Sequence, residues 1–453
     1  MKNMKKVSEG RLSTGPVQST LIRLMLPMLL GSLSMIIFNI TDTFFVSRLG
    51  TQQLAALSFI FPVVLFAGSL SHGVGMGVSA VVSHAIGENN PARVKRLTTD
   101  GLLLALIFVG AITGIGHLSI SWSFHLLGVS PEVMVHIRQY MTIWYWGAVF
   151  MVVPMVANNA IRATGNTKSP SLIVLCATVV NIVLDPIFIF GIGPVPQLGV
   201  AGAAIATVMS RALMFGLALW VLQYKKKMIS YEIPSFQTVK NSWRQILFIG
   251  VPTAGTKVAL PIAAGVLTSI VASYGSEAVA GFGVATRIEV FTMMMILALA
   301  GAMGPFVGQN YGAGKFNRIQ LGIRIGYKFS LLWGVIVTLA FAYFGGNISS
   351  IFSDDPAVIS VARMYLIVVP AGYAAYGFLM IATTAMSALK KTYHAALMTL
   401  TQTFVFSLPL AYVGSFFVDL RWVFLALPLS YVIVGFIACL SLSRILSQIE
   451  LSV

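Results

Sequence analysis

Runs of apolar residues long enough to cross a lipid bilayer recur from one end of this chain to the other, and they restrict the fold to membrane-spanning helices. The backbone is the reason. Hydrocarbon offers no water to N–H and C=O groups, so a segment of about 20 apolar residues must satisfy them inside its own helix. Twelve such runs are legible, at 20–46, 53–82, 98–120, 134–158, 170–190, 200–223, 245–270, 279–305, 325–346, 357–382, 395–414 and 422–444. Of the 453 residues 57% are hydrophobic and 9% charged, against about 25% charged in an ordinary soluble domain, which excludes a soluble globular protein. The first run follows a basic, polar N-terminus, is too long for a signal-peptide core and shows no small-residue cleavage pattern, so it reads as the first spanning helix.

Lys and Arg number 29 against 13 Asp and Glu, a formal charge of +16 that in a soluble chain suggests a nucleic-acid partner. Here the basic residues stand between apolar runs, where they face the cytoplasmic membrane surface and its lipids, and no nucleic acid is expected. Alternate connections carry nearly all of them, from Lys2, Lys5 and Arg23 through Arg93, Lys168, Lys225 and Arg318 to Lys390 and Arg444, leaving Arg48 and Arg421 for the opposite side. That asymmetry requires an even number of spans and puts both termini in the cytoplasm, with the chain in the cytoplasmic (inner) membrane.

A shift of 225 residues superposes Pro27 on Pro252, Gly50 on Gly275, Gly87 on Gly312 and Arg93 on Arg318. It goes on to pair Pro131 with Pro356, Arg138 with Arg363, Tyr140 with Tyr365, Gly147 with Gly372 and Thr167 with Thr392. The chain therefore reads as a duplicated six-helix unit: a bundle over 1–222, a cytoplasmic linker over 223–244 and a second bundle over 245–453. Six is even, so the halves share one topology and a two-fold axis along the membrane normal, with a central cleft expected for a substrate. Lys225, Lys226 and Lys227 in the linker read as a cytoplasmic anchor.

An ionisable group inside a span costs about 2.5 to 3.5 kcal/mol on insertion scales, so each needs a reason to be there. Asp42 in helix 1 and Asp185 in helix 5 break the repeat, since their mates are Leu267 and Leu410. Asn181, four residues before Asp185 and on its helix face, is matched by Phe406, and Thr207 in helix 6 by Val432. One bundle is specialised. Two acids in a poorly hydrated pocket can share a proton near neutral pH, and the same oxygens with an Asn and a Thr can ligate Na+; a packing network is the structural alternative. Pro27, within helix 1, removes a backbone hydrogen bond and predicts a kink in the helix that carries Asp42, although Pro252 repeats it. Lys257 and Glu289 are expected to neutralise each other, with Arg287 reaching toward an interface.

Other patterns dissolve on inspection. Gly312, Gly314 and Lys315 lack the earlier glycine and the Ser/Thr of a phosphate loop, because Gln309 and Phe316 stand there, so no ATP site is expected. Gly73, Gly75 and Gly77 have no preceding strand and read as close helix packing. The six histidines lack metal spacing, and Cys176 and Cys439 lie in apolar stretches, so neither a metal, a cofactor nor a disulfide framework is expected. The methionines, including Met293, Met294 and Met295, suit either core packing or a deformable binding surface. An intramembrane aspartyl protease also uses two buried acids, yet the Gly before the acid is missing at both sites, so enzyme activity is not expected.

With twelve helices in two parallel halves, residues 39–50 (NITDTFFVSRLG), 161–169 (IRATGNTKS) and 181–191 (NIVLDPIFIFG), the chain resembles the multidrug and toxic compound extrusion family, and within it the branch of DNA-damage-inducible protein F. The resemblance covers nearly the whole chain. It implies an all-α, V-shaped pair of six-helix bundles, a monomer that exports lipophilic, often cationic small molecules by alternating access in exchange for H+, or else Na+. It further implies a cation site in the first bundle at Asp42, Asp185, Asn181 and Thr207, with Tyr140 and Asn158 as neighbouring polar positions; the bending of helix 1 at Pro27 is expected from the proline itself. The family branch with carboxylates in helices 7 and 10 is not matched, because Lys257 is the charged side chain of helix 7. The rival within transport is a flippase for a lipid or lipid-linked saccharide, which the shortage of Arg and Lys deep in the spans disfavours.

Overall fold

The computed structural model describes residues 12–417 and 419–451, and every described secondary-structure element is helical. In the first half α1 spans Val17–Ser47, α2 Thr51–Gly87, α3 Pro91–Leu126, α5 Lys168–Phe190 and α6 Gly199–Trp220, the last continued by a π turn, Val221–Lys226. The fourth span, α4, is a pair, Pro131–Gly147 and Val149–Ala163, bent by 45°. In the second half α7 spans Phe236–Ala272, α8 Ser276–Gly312, α9 Phe316–Ser349 and α12 Arg421–Leu451. Between them α10 joins Pro356–Val368 to Tyr373–Ala388 through a 3-10 turn, and α11 runs over Thr392–Gly414 with a π segment at Thr401–Ser407. Among the described residues eleven helices are long and apolar enough to cross a membrane, or twelve with the bent pair as one span, which matches the twelve apolar runs one for one. The break repeats as well: Gly147 ends the first part of α4, and its mate Gly372 ends the turn in α10.

Contacts divide the chain into two compact units, one containing Leu26–Ala254 and the other Leu12–Met25 together with the chain from Gly255 on. The division falls inside α7 rather than in the polar linker, and it also divides α1, two residues before Pro27. Helix α1 runs unbroken through that proline. The linker is tied to the first unit. Arg96 of α3 ion-pairs with Asp100 and donates to the Glu232 carbonyl (3.1 Å), while the Trp243 indole donates to the Asp100 carbonyl (3.0 Å).

Each unit has its own core. In the first, Val78 and Ala105 from α2 and α3, Ile137, Val156 and Ile161 from α4, and Ile189 and Ala203 from α5 and α6 are buried. In the second, Phe282, Tyr365, Tyr373 and Phe424 form its aromatic centre, with Tyr365 and Phe424 edge to face at 5.0 Å. Small residues along α6, including Gly202, Ala203 and Ala206, let it lie directly on α5. That contact sets the height of the polar residues on both helices.

Residues 12–15, ahead of α1, hook onto the second unit. Arg318 donates to the carbonyls of Gly15 (2.8 Å), Leu12 (3.2 Å) and Thr14 (3.2 Å), and Lys315 to that of Ser13 (2.9 Å). Asn310 adds a bond to the Leu12 carbonyl (3.1 Å), and Gln309 accepts from the Leu12 amide (3.2 Å). The repeat mate Arg93 instead holds Glu88 (2.5 Å) and Gln245 (3.0 Å), so the hook belongs to one half alone. Charged donors to carbonyls contribute about 1.5 to 3 kcal/mol when shielded and less at a wet surface. Arg318→Ala is therefore expected to lower stability by about 1 to 2 kcal/mol and to speed amide exchange and proteolysis at residues 12–16, while Arg93→Ala leaves that segment protected; equal protection in both variants would refute the hook.

Candidate functional site

In the first unit α1 and α5 lie side by side. The Thr178 hydroxyl donates to the Ser34 carbonyl (3.2 Å), a Cβ on Gly31 would meet Ser171 Oγ at 3.1 Å, and Phe45 meets Phe190 edge to face at 6.2 Å. These contacts bracket the level of Asp42 and Asp185, whose charges are close enough to act on one another. Asn181, one turn before Asp185, donates through Nδ2 to Asp185 Oδ1 (3.0 Å), and both residues are fully buried. Helix α6 brings Thr207, and α4 brings Tyr140, whose ring lies beside Thr207 and feels the charges of both acids. Asn158 stands on the part of α4 that packs against α6, buried, and shares no hydrogen bond with the acids among the described residues.

The oxygens of this group are what sets it apart. Asp42 Oδ1, Asp185 Oδ2, Asn181 Oδ1 and Thr207 Oγ1 are all buried and without a hydrogen-bond partner among the described residues, and the same holds for Asn158 Oδ1 on α4. Buried polar atoms in folded proteins are nearly always paired, so the four unpaired oxygens contributed by α1, α5 and α6 call for a species that is positive or donates a hydrogen bond. A proton on either carboxyl would do so, and so would a small cation. The second unit holds apolar side chains at the corresponding places: Leu267 is 8% exposed and part of its core, and Leu410 packs against that core.

Asp42, Asp185, Asn181, Thr207 and Tyr140 thus lie together, and beside them stands a residue that the sequence analysis did not single out. Arg211 lies in the middle of α6, one turn after Thr207, with its guanidinium over the Phe38 ring at 4.7 Å. Phe38 is in turn one turn before Asp42 on α1. The signal was available in the four-residue spacings of Thr207 to Arg211 and of Phe38 to Asp42, which place each pair on one helix face. The expected neutralisation of Lys257 by Glu289 does not occur. Among the described residues no ion pair joins them; the Tyr365 hydroxyl reaches from α10 and donates to Glu289 Oε2 (2.7 Å), while Lys257 and Arg287 are exposed.

Known proteins resemble this chain along nearly its whole length. The MatE family model matches it twice, at residues 27–187 and 252–413, the two halves of the repeat. It is 35% identical to the FAD transporter of Shewanella oneidensis, over 96% of each chain. It is also 26% identical to the probable multidrug resistance protein YoeA of Bacillus subtilis, over 80% of each. Among solved structures, a Vibrio cholerae MATE transporter, VcmN in the bent form, superposes with a TM-score of 0.91 at 26% identity, covering 100% of this chain and 99% of that one.

Proposed function

The chain belongs to the MatE family of multi-pass membrane transporters for small molecules, and from that premise we propose that it exports its substrate by cation antiport with alternating access, H+ being favoured over Na+. The single observation that carries the coupling is the set of unpaired buried oxygens on Asp42, Asp185, Asn181 and Thr207. H+ is favoured because each proton needs only one carboxyl oxygen, and Asp42 Oδ1 and Asp185 Oδ2 supply one apiece, whereas Na+ needs several oxygens converging on one point. Cation arrival from outside alters α1 and α5 together, since Ser34 and Thr178 join them, and a ligand shifts such an equilibrium only through its different affinity for the two states. The inner membrane, cytoplasmic termini and a monomeric state belong to the same reading.

For the substrate, lipophilic and cationic compounds are supported by relatives named for multidrug resistance. A second reading, export of a flavin dinucleotide, is favoured by the 35% identical FAD transporter and by the unneutralised cations within the spans, Arg211 and Lys257. A lipid or lipid-linked saccharide flippase is the remaining alternative. Purified protein in liposomes, given a cationic dye or FAD under an imposed pH or Na+ gradient, tests these readings. Substrate movement driven by the pH gradient is expected. Indifference to both gradients would sink the antiport reading and favour the flippase.

A further inference from the structure

Arg211 shares no hydrogen bond with the oxygen cluster, yet a full positive charge in the middle of a spanning helix has to be answered by something. Its guanidinium carries five N–H donors in a planar fork. Among the described residues it lies over the face of Phe38 at 4.7 Å and reaches one hydrogen-bonding atom, the thioether sulfur of Met35, at 3.8 Å. Sulfur is a weak acceptor. Among the described residues no carboxylate is within ion-pair distance of Arg211 and no oxygen accepts from it. Asp42, one turn further along α1, acts on it only at longer range.

The repeat separates this arrangement from scaffold. Arg211 corresponds to Phe436, Phe38 to Ala263 and Met35 to Leu260, so the second half, with the same helices, has neither the cation nor the ring beneath it. Arg211 is only partly buried. It stands on the same face of α6 as Thr207 and is displaced from the unpaired oxygens by one helical turn, about 5.4 Å. It is therefore adjacent to the cation site and separate from it. A guanidinium fork with its donors free and its plane supported by an aromatic ring matches the paired oxygens of a phosphate better than any point charge does.

We propose that Arg211, supported by Phe38, anchors a phosphate-bearing organic anion, and is thus the residue that admits anionic substrates to this transporter. The assignment rests on the export reading and deepens its second form. FAD is the probe, and two measurements keep the two levels apart. Binding of FAD to the detergent-solubilised protein, followed by flavin fluorescence, reads the anchor without transport; uptake into liposomes compares FAD with a cationic dye. Arg211→Gln is expected to weaken FAD binding and raise its KM at least tenfold, leaving the dye within twofold. Arg211→Lys, which keeps the charge without the fork, should fall between and guards against a folding defect. Unchanged FAD binding in Arg211→Gln, or equal loss of both substrates, would overturn the proposal, the second by marking Arg211 as a counter-ion of Asp42. FAD binding that depends on Arg211 in a wild type that moves nothing would uphold the anchor and overturn the export reading instead.

Discussion

Asp42→Leu is expected to leave the protein folded and to abolish gradient-driven transport. The fold tolerates the change because the duplicated half already carries it: Leu267 occupies the corresponding place on α7, 8% exposed in the second core. Leucine is close in volume and brings no polar atom needing a partner, and the carboxyl oxygen it removes, Oδ1, has none among the described residues. Function suffers because coupling requires a group that binds the cation differently in two conformations. We expect the initial rate under a pH gradient to fall by about 100-fold, or roughly 2.7 kcal/mol, with the unfolding midpoint unchanged or raised. Asp185→Leu should lose transport as severely but also destabilise, because it strands the Asn181 amide now bonded at 3.0 Å; an unpaired buried donor costs about 1 to 3 kcal/mol. Initial rates in liposomes beside thermal unfolding in detergent separate the two effects. Transport within twofold of wild type in Asp42→Leu would remove Asp42 from the mechanism.

Gly202→Val is expected to have the largest effect on stability. A Cβ at this position would stand 2.3 Å from the carbonyl oxygen of Phe188, 2.5 Å from its carbon and 2.9 Å from the Ile189 nitrogen. All three atoms are backbone, so no side-chain rotation relieves the clash, and α5 and α6 must separate. Overpacking commonly costs about 1 to 3 kcal/mol where side chains yield, and here a loss above about 3 kcal/mol is expected. Phe188 follows Asp185 by three residues and Gly202 precedes Thr207 by five, so the separation also opens the oxygen cluster. Gly216 is the control on the same helix: nothing lies within 4 Å of its would-be Cβ, and Gly216→Ala should be neutral or stabilising by up to about 1 kcal/mol. Equal melting of Gly202→Val and wild type would mean that α5 and α6 do not pack as described.

Most of the architecture is written locally. A spanning helix closes its hydrogen bonds within itself, so apolar length alone marks it. The duplication shows as one constant offset, and the specialised bundle shows because Asp42, Asn181, Asp185 and Thr207 face Leu267, Phe406, Leu410 and Val432 across that offset. Other features depend on which side chains meet across helices, and no periodicity encodes that. Glu289 lies near Lys257 in helix order, yet it is Tyr365 that reaches it. The division between units falls in α7 and α1, where packing changes partners, and not in the polar linker that composition marks. Residues 12–15 are fixed by Arg318 some three hundred positions away, and Arg211 lies against Phe38 because α6 and α1 meet there. The sequence by itself determined the helices, the repeat and the residue types of the candidate site, because these follow from solvent and helical period. The tertiary structure alone decided which buried oxygens go unpaired and which guanidinium lies on an aromatic ring rather than on a carboxylate, because pairing is a property of two surfaces and not of either segment.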